Sequence, residues 1–356
     1  MRFQGAFPGP RQRPSVSPLT EFAFEPNPGN LRAFQHLPED LKPGSPLVVI
    51  LHGCGQSAQG YDLGAGWSGL AAEFGFALLA AEQKAVNNPN TCFDWFLPED
   101  IRRGEGEVAS IAAMIATMVE QHGLDKSCVF ITGLSAGGAM TAAMLATYPD
   151  IFAGGAIIAG LPYGAASNVR EALDAMKSAP LKTPRQWGDC VRAASQGNAR
   201  WPRVAIWHGA ADLTVNINNA QASVAQWSDL HEIALTDARQ ELLPGAVRLS
   251  WGDRLELVTI AGLGHGTPID SRDVGQAMPF ILDVGISSSR DIARFWGLVA
   301  SPVKRAPRPK PAPAETVAEQ LVLPRIEDMV VPRLRTEMET QAQSLVRRVL
   351  RAVLRR

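Results

Sequence analysis

The sequence predicts a doubly wound α/β fold: a mostly parallel β-sheet with helices on both faces and a small cap region. Three observations lead there. Six apolar runs of four to seven residues pass almost without polar interruption, as strands covered on both faces do. Longer stretches with helical spacing separate most of them, the alternation from which parallel sheets are built. At one junction an apolar strand runs through Gly133-Leu134-Ser135-Ala136-Gly137 straight into a run of small residues, a sharp strand-to-helix turn.

In chain order, residues 1–18 are rich in Pro, Arg and Gln and are expected to be disordered. A large domain over residues 19–300 follows. Residues 20–25 and 31–37 are expected to pair as leading antiparallel strands. LVVIL at 47–51 reads as the first buried parallel strand and FALLA at 76–80 as the next, with a helix over 60–73 between them. A helix over 105–122 leads to VFIT at 129–132, and a helix of small residues over 137–147 leads to AGGAIIA at 153–159. Residues 162–202 break the rhythm and are expected to form a cap or lid near the sheet edge. The alternation resumes with VAIW at 204–207, a helix over 216–234, LELVTI at 255–260 and a closing helix over 288–298. Past residue 300 it stops. Five prolines from Pro302 to Pro313, with Lys304, Arg305, Arg308 and Lys310 among them, read as an extended basic linker over 301–314. Residues 315–356 read as a basic helical tail, with Leu345, Val346, Val349, Leu350, Val353 and Leu354 on one face.

Composition sets further bounds. Of the 356 residues 46% are hydrophobic and 19% charged, which excludes global disorder. The most apolar stretch falls far short of the roughly 20 residues that a membrane-spanning helix needs. No apolar segment follows the basic start, so no signal peptide is read; a cytoplasmic location is expected, with an extracellular one as the alternative. The cysteines, Cys54, Cys92, Cys128 and Cys190, show no metal-ligand spacing, and neither a metal nor an organic cofactor is expected. A net charge of −1 excludes a globally basic nucleic-acid binder but hides two opposed parts. Residues 303–356 carry 12 Lys and Arg against 6 Asp and Glu, a net of +6, and the rest sums to −7. The tail is expected to dock on the acidic body or to stay solvated. The sharper expectation is an anchor for anionic lipid or a polymer-granule surface.

The Gly-x-Ser-x-Gly turn has the context of a nucleophile elbow, which lifts a serine hydroxyl off the sheet and aims helix N–H groups at developing negative charge. Such a serine needs a base and an orienting acid, in the chain order Ser, Asp or Glu, His. Of His208, His231 and His265, His265 lies just past the last strong strand, in Gly262-Leu263-Gly264-His265-Gly266, where a loop carries an imidazole over the elbow. His208 ends the preceding strand and is expected to brace the Asp loop; His231 is expected on a solvated polar helix. Asp212 follows VAIW by the short turn HGAAD, on the rim of the elbow, and is the expected acid. Asp237, Asp253 and Asp270 are weaker rivals, since none closes a convincing strand. For the oxyanion hole the expected donors are the Ala136 N–H and, from Leu51-His52-Gly53-Cys54-Gly55, the Cys54 N–H with Gly53 as fallback. His52 is expected to buttress that turn. Trp67, Trp95, Phe96, Tyr163, Trp187 and Trp201 fall in loops or the cap. Trp95, Phe96 and Tyr163 are the expected substrate-binding residues, against ordinary packing under long loops.

LHGCGQSA, Cys92-Phe93-Asp94-Trp95-Phe96, RRGEGE, GLSAGGAM, LPYGAA, WGDCVRAAS, IWHGAAD and GLGHG follow in that order. Together they resemble the catalytic domain of poly(3-hydroxybutyrate) depolymerase-family esterases, α/β-hydrolases that are also similar to feruloyl and acetylxylan esterases, over roughly residues 20–298. The resemblance implies a serine carboxylic-ester hydrolase acting on short-chain hydroxyalkanoate or similar esters through an acyl-enzyme, with Ser135, Asp212 and His265 as nucleophile, acid and base. It also implies a Cys54–Cys92 disulfide that rigidifies the oxyanion loop, the alternative being a reduced, buried pair. The family often reads Trp-Asn-Trp where this chain has Phe93-Asp94-Trp95. The 54 residues after Pro302 are too few and too polar for a sandwich-type substrate-binding domain, so soluble oligoesters or small esters are expected rather than crystalline polymer. The rival readings are a feruloyl or acetylxylan esterase and, in another class, a non-catalytic protein that coats a surface with its basic tail. Oligomeric state is not legible.

Overall fold

The computed structural model describes residues 16–197 and 200–299. The expected linker over 301–314 and tail over 315–356 lie outside them, as does most of the segment 1–18. Ser17 is described and is buried, donating from its hydroxyl to Asp62 Oδ2 at 2.7 Å, so ordered chain reaches back beyond residue 19.

The strands are β1 (Thr20–Phe22), β2 (Arg32–His36), β3 (Leu47–Leu51), β4 (Ala77–Glu82), β5 (Val129–Leu134), β6 (Gly154–Ile158), β7 (Arg203–Gly209), β8 (Arg239–Leu243), β9 (Ala246–Trp251), β10 (Leu255–Ile260), β11 (Thr267–Ile269) and β12 (Ile281–Asp283). The first ten form one sheet in the order β1-β2-β4-β3-β5-β6-β7-β10-β9-β8. Its centre, β4 through β10 in that order, is parallel throughout, and both flanks are antiparallel. Every residue of β3, β4, β5, β6 and β10 is buried, which explains their largely apolar runs: neither face meets water. β11 and β12 pair with each other in a separate two-stranded ribbon.

The helices are α1 (Ala58–Ala65), α2 (Trp67–Phe74), α3 (Gly106–His122), α4 (Ala136–Thr147), α5 (Val169–Lys177), α6 (Pro184–Ala194), α7 (Asn218–Leu230) and α8 (Ser288–Trp296). Where one helix was expected over 60–73 there are two. Gly66 between them sits at φ 77°, and a Cβ there would stand 2.5 Å from Gly275 N. The buried Asp62 carboxylate completes the break by accepting the Ser68 N–H at 2.7 Å, capping α2 from inside. The expected cap stretch, 162–202, holds α5 and α6. Pro184 starts α6 behind a reciprocal Thr183–Gln186 capping box. The hairpin β8–β9 was not expected. Its turn is Pro244-Gly245, with Gly245 at φ 75°, and β8 is an exposed edge strand too polar to read as an apolar run. No helix among the described residues is long and apolar enough to cross a membrane.

One buried carboxyl makes stability depend on pH. Burial pushes Glu256, on β10, up to about 7 against the pull of Arg248, whose Nε lies 3.5 Å away. The unfolded chain gives up this proton near its ordinary 4.5. The folded state therefore holds the extra proton between those values, and stability falls as pH rises through that window. The full cost above pH 7 is about 3 kcal/mol. Arg248 keeps Glu241 and Asp291 as partners without Glu256. Glu256→Gln is expected to melt several degrees above wild type at pH 8 and level with it at pH 4; an equal gap at both pH values would contradict this account.

Candidate active site

The turn after β5 is forced by close packing. A Cβ on Gly137 would stand 2.4 Å from Leu51 O, and one on Gly133 would stand 2.4 Å from Gly137 O. Only glycine lets the start of α4 lie directly against the end of β3. Ser135, caught between, adopts φ 58° and ψ −115°, a costly conformation for a residue with a side chain. Its N–H donates to Ile158 O at 2.9 Å, which ties the turn to β6.

The loop from β10 to β11 brings His265 over this serine. Nε2 of His265 is 2.8 Å from Ser135 Oγ, and Nδ1 is 2.7 Å from Asp212 Oδ2. Asp212 follows β7, and its side chain is wholly buried. Burial opposes its charge, yet hydrogen bonds from His265 and the Val215 N–H hold the carboxyl below the usual range. Its other oxygen accepts the Thr214 and Val215 N–H groups, both at 2.9 Å. His208 donates from Nε2 to Val215 O at 2.8 Å, bracing the Asp212 loop. His231 is not solvated as expected: Nε2 donates to Pro202 O at 3.1 Å, and burial, with Arg254 nearby, lowers its pKa to about 4. The rival Asp270 pairs with Arg272.

The loop after β3 is pinned from several sides. Gly53 N–H donates to Gln56 Oε1 at 2.9 Å, which removes Gly53 as the fallback oxyanion donor. Gly55 N–H donates to Asn90 O at 2.8 Å, and Gln56 N–H to Gly53 O at 3.2 Å. Cys54 and Cys92 are joined by a disulfide. Among the described residues no acceptor takes the Cys54 N–H. The Ala136 N–H is in the first turn of α4, where no intrahelical acceptor exists.

Trp95 and Phe96 pack edge to face on each other at 5.4 Å, with Trp95 buried. Tyr163 is half-buried, its OH donating to Ile101 O at 3.4 Å. Trp67 and Trp187 are core residues. The aromatic ring found against His265 is Phe280, edge-on at 6.0 Å. Phe280 is 47% exposed and held at φ 64°. Its carbonyl accepts the Thr267 N–H at 2.8 Å, so it also braces the His265 loop. Leu213, next to Asp212, is 99% exposed. Sequence reasoning missed both. Nothing in a sequence marks a phenylalanine for a left-handed backbone, although an apolar residue beside the expected acid was a signal for Leu213. Around Trp95 and Phe96 in sequence, Asp94, Asp100 and Glu107 bring carboxylate oxygens within 4.8 Å of one another. Burial pushes all three up, Asp100 to about 6 and Glu107 well above the ordinary range. Glu107 is held by Gln83 Nε2 and by the Asp94 N–H.

The sheet order, the strained serine turn and the imidazole above it define an α/β-hydrolase of the serine type. The family model described as "Esterase PHB depolymerase" matches residues 36–243. The chain is 42% identical to poly(3-hydroxyalkanoate) depolymerase C of Paucimonas lemoignei over 80% of this chain and 71% of that protein. It is 33% identical to an acetylxylan esterase of Coprinopsis cinerea over 71% of this chain and 70% of that one. It is 30% identical to feruloyl esterase B of Thermothelomyces thermophilus over 74% and 92% respectively. The solved acetyl xylan esterase from Aspergillus awamori has the same fold, with TM-score 0.69 at 24% identity over 79% of this chain and 99% of that one. The chain belongs to the esterase PHB depolymerase family and is a carboxylic-ester hydrolase.

Proposed function

We propose that Ser135, His265 and Asp212 are the catalytic triad of an esterase for short-chain hydroxyalkanoate esters, oligomeric or polymeric. The observation that carries this reading is His265, hydrogen-bonded at once to Ser135 Oγ and to Asp212. Ser135 Oγ attacks the ester carbonyl while His265 Nε2 takes its proton. Asp212 holds Nδ1–H and offsets the imidazolium charge. The Ala136 and Cys54 N–H groups hold the oxyanion. His265 returns the proton to the leaving alcohol, then draws one from a water that attacks the acyl-enzyme and frees the acid. The substrate class is supported by the depolymerase among the relatives and by the two exposed apolar side chains beside the acid and the base, Leu213 and Phe280. The esterases named for acetylxylan and feruloyl substrates support the second reading, a carbohydrate-ester hydrolase. The basic segment 315–356 is the part proposed to meet an anionic lipid or granule surface.

A panel of p-nitrophenyl butyrate, hydroxybutyrate oligomers, polymer granules, feruloyl esters and acetylated xylan tests the substrate class, run on the full chain and on a chain cut at Pro302. Release of 3-hydroxybutyrate by both, with weaker granule pelleting of the cut chain, is the expected result. Turnover confined to acetylated xylan or feruloyl esters would favour the second reading, and equal pelleting would remove the tail from the account.

A further inference from the structure

We infer that His52 is a positioning residue for the oxyanion hole, aiming the Cys54 N–H at the site over Ser135 by holding the Gly53 carbonyl on the opposite side of their shared peptide. The inference rests on the proposed roles of Ser135 and Cys54. The His52 ring is buried, and Phe93 packs on it at 5.0 Å. Its Nε2 lies 3.1 Å from the Gln83 backbone N–H, which can only donate. Nε2 must therefore be the acceptor, and the ring's one proton sits on Nδ1. From there it donates to Gly53 O at 2.8 Å. Burial favours this neutral form by lowering the His52 pKa. In a trans peptide the C=O of one residue and the N–H of the next point opposite ways. Gly53 O is held by the imidazole at 2.8 Å and at the longer 3.2 Å by the Gln56 N–H, so the shorter imidazole bond is the main constraint on the direction of the Cys54 N–H. Among the described residues no acceptor takes that N–H, whereas the Gly53, Gly55 and Gln56 N–H groups of the same loop are all engaged.

Gln83 reinforces the arrangement. Its side-chain Nε2 donates to Cys92 O at 3.1 Å, so one residue grips both the imidazole and the disulfide partner of Cys54. The clamp lies directly against the elbow, since a Cβ on Gly137 would stand 2.5 Å from His52 O. A preorganised donor of this kind acts on the transition state far more than on the bound ester, so its loss falls on kcat.

The test is p-nitrophenyl butyrate hydrolysis by wild type, His52→Asn, His52→Leu and Ser135→Ala, with melting temperatures for each. An asparagine amide reaches about where Nδ1 does; leucine offers no donor. His52→Leu is expected to lose about 10²-fold in kcat with KM within about threefold. His52→Asn is expected to stay within about tenfold of wild type. Full kcat in His52→Leu, a change confined to KM, or an equal loss in both variants would overturn the inference while Ser135→Ala remains inactive. Should His52→Leu fail to fold, His52→Asn decides alone: a loss beyond tenfold, or failure to fold, overturns it. Activity in Ser135→Ala would instead overturn the proposed triad.

Discussion

Ser135→Ala is expected to lower p-nitrophenyl ester turnover by about 10⁴- to 10⁶-fold, with little change in KM. The size follows from what the hydroxyl does alone. The proposed oxyanion donors and the imidazole persist in the variant, but no covalent acyl-enzyme can form, and a water must attack from an unprepared position. Alanine carries the same Cβ as serine, so the strain of positive φ at 135 is unchanged by the substitution. Melting temperature is therefore expected to hold within a few degrees, which separates lost chemistry from lost structure. Turnover within tenfold of wild type would remove Ser135 as nucleophile.

Asp212→Asn is expected to cost about 10⁴-fold in kcat without disturbing the fold. The reason lies in the backbone around it. One Asp212 oxygen is held by two N–H donors, from Thr214 and Val215. The oxygen of an asparagine must take that place, since an amide N–H₂ would face two donors. The N–H₂ then faces His265 Nδ1 and forces it to accept. The imidazole proton moves to Nε2, toward Ser135 Oγ, and no base is left for the hydroxyl. His208, whose Nε2 lies 3.5 Å from the other oxygen and is already committed to Val215 O, gives the amide no reason to turn. Steady-state kinetics on a soluble ester reads the effect directly. A loss below tenfold would mean that another group orients His265.

Much of this was legible in the sequence, and for identifiable reasons. Buried parallel strands must be apolar on both faces, so LVVIL and VFIT announced the sheet centre. The serine turn needs glycine where backbone touches backbone, and Gly133 and Gly137 stood in the right places. Asp212 and His265 could be picked out because each closely follows a strand in the expected chain order. What stayed hidden depends on contacts between distant segments. The break at Gly66 comes from the approach of Gly275, some 200 residues on. The hairpin β8–β9 is an edge whose polar face masks its strand pattern. Phe280 reaches His265 only because β12 returns beside β11. The free Cys54 N–H emerges only once Gln56 and Asn90 have claimed its neighbours.

A Ser135 activated as a nucleophile by His265 and Asp212, as proposed, reacts with electrophilic phosphonates. Labelling with a fluorophosphonate, followed by peptide mass spectrometry, tests it most directly. One phosphonyl group on Ser135, gained rapidly by the wild type and at least 10³-fold more slowly by His265→Ala, is the predicted result. No labelling, labelling at another serine, or equal rates in the two proteins would contradict it.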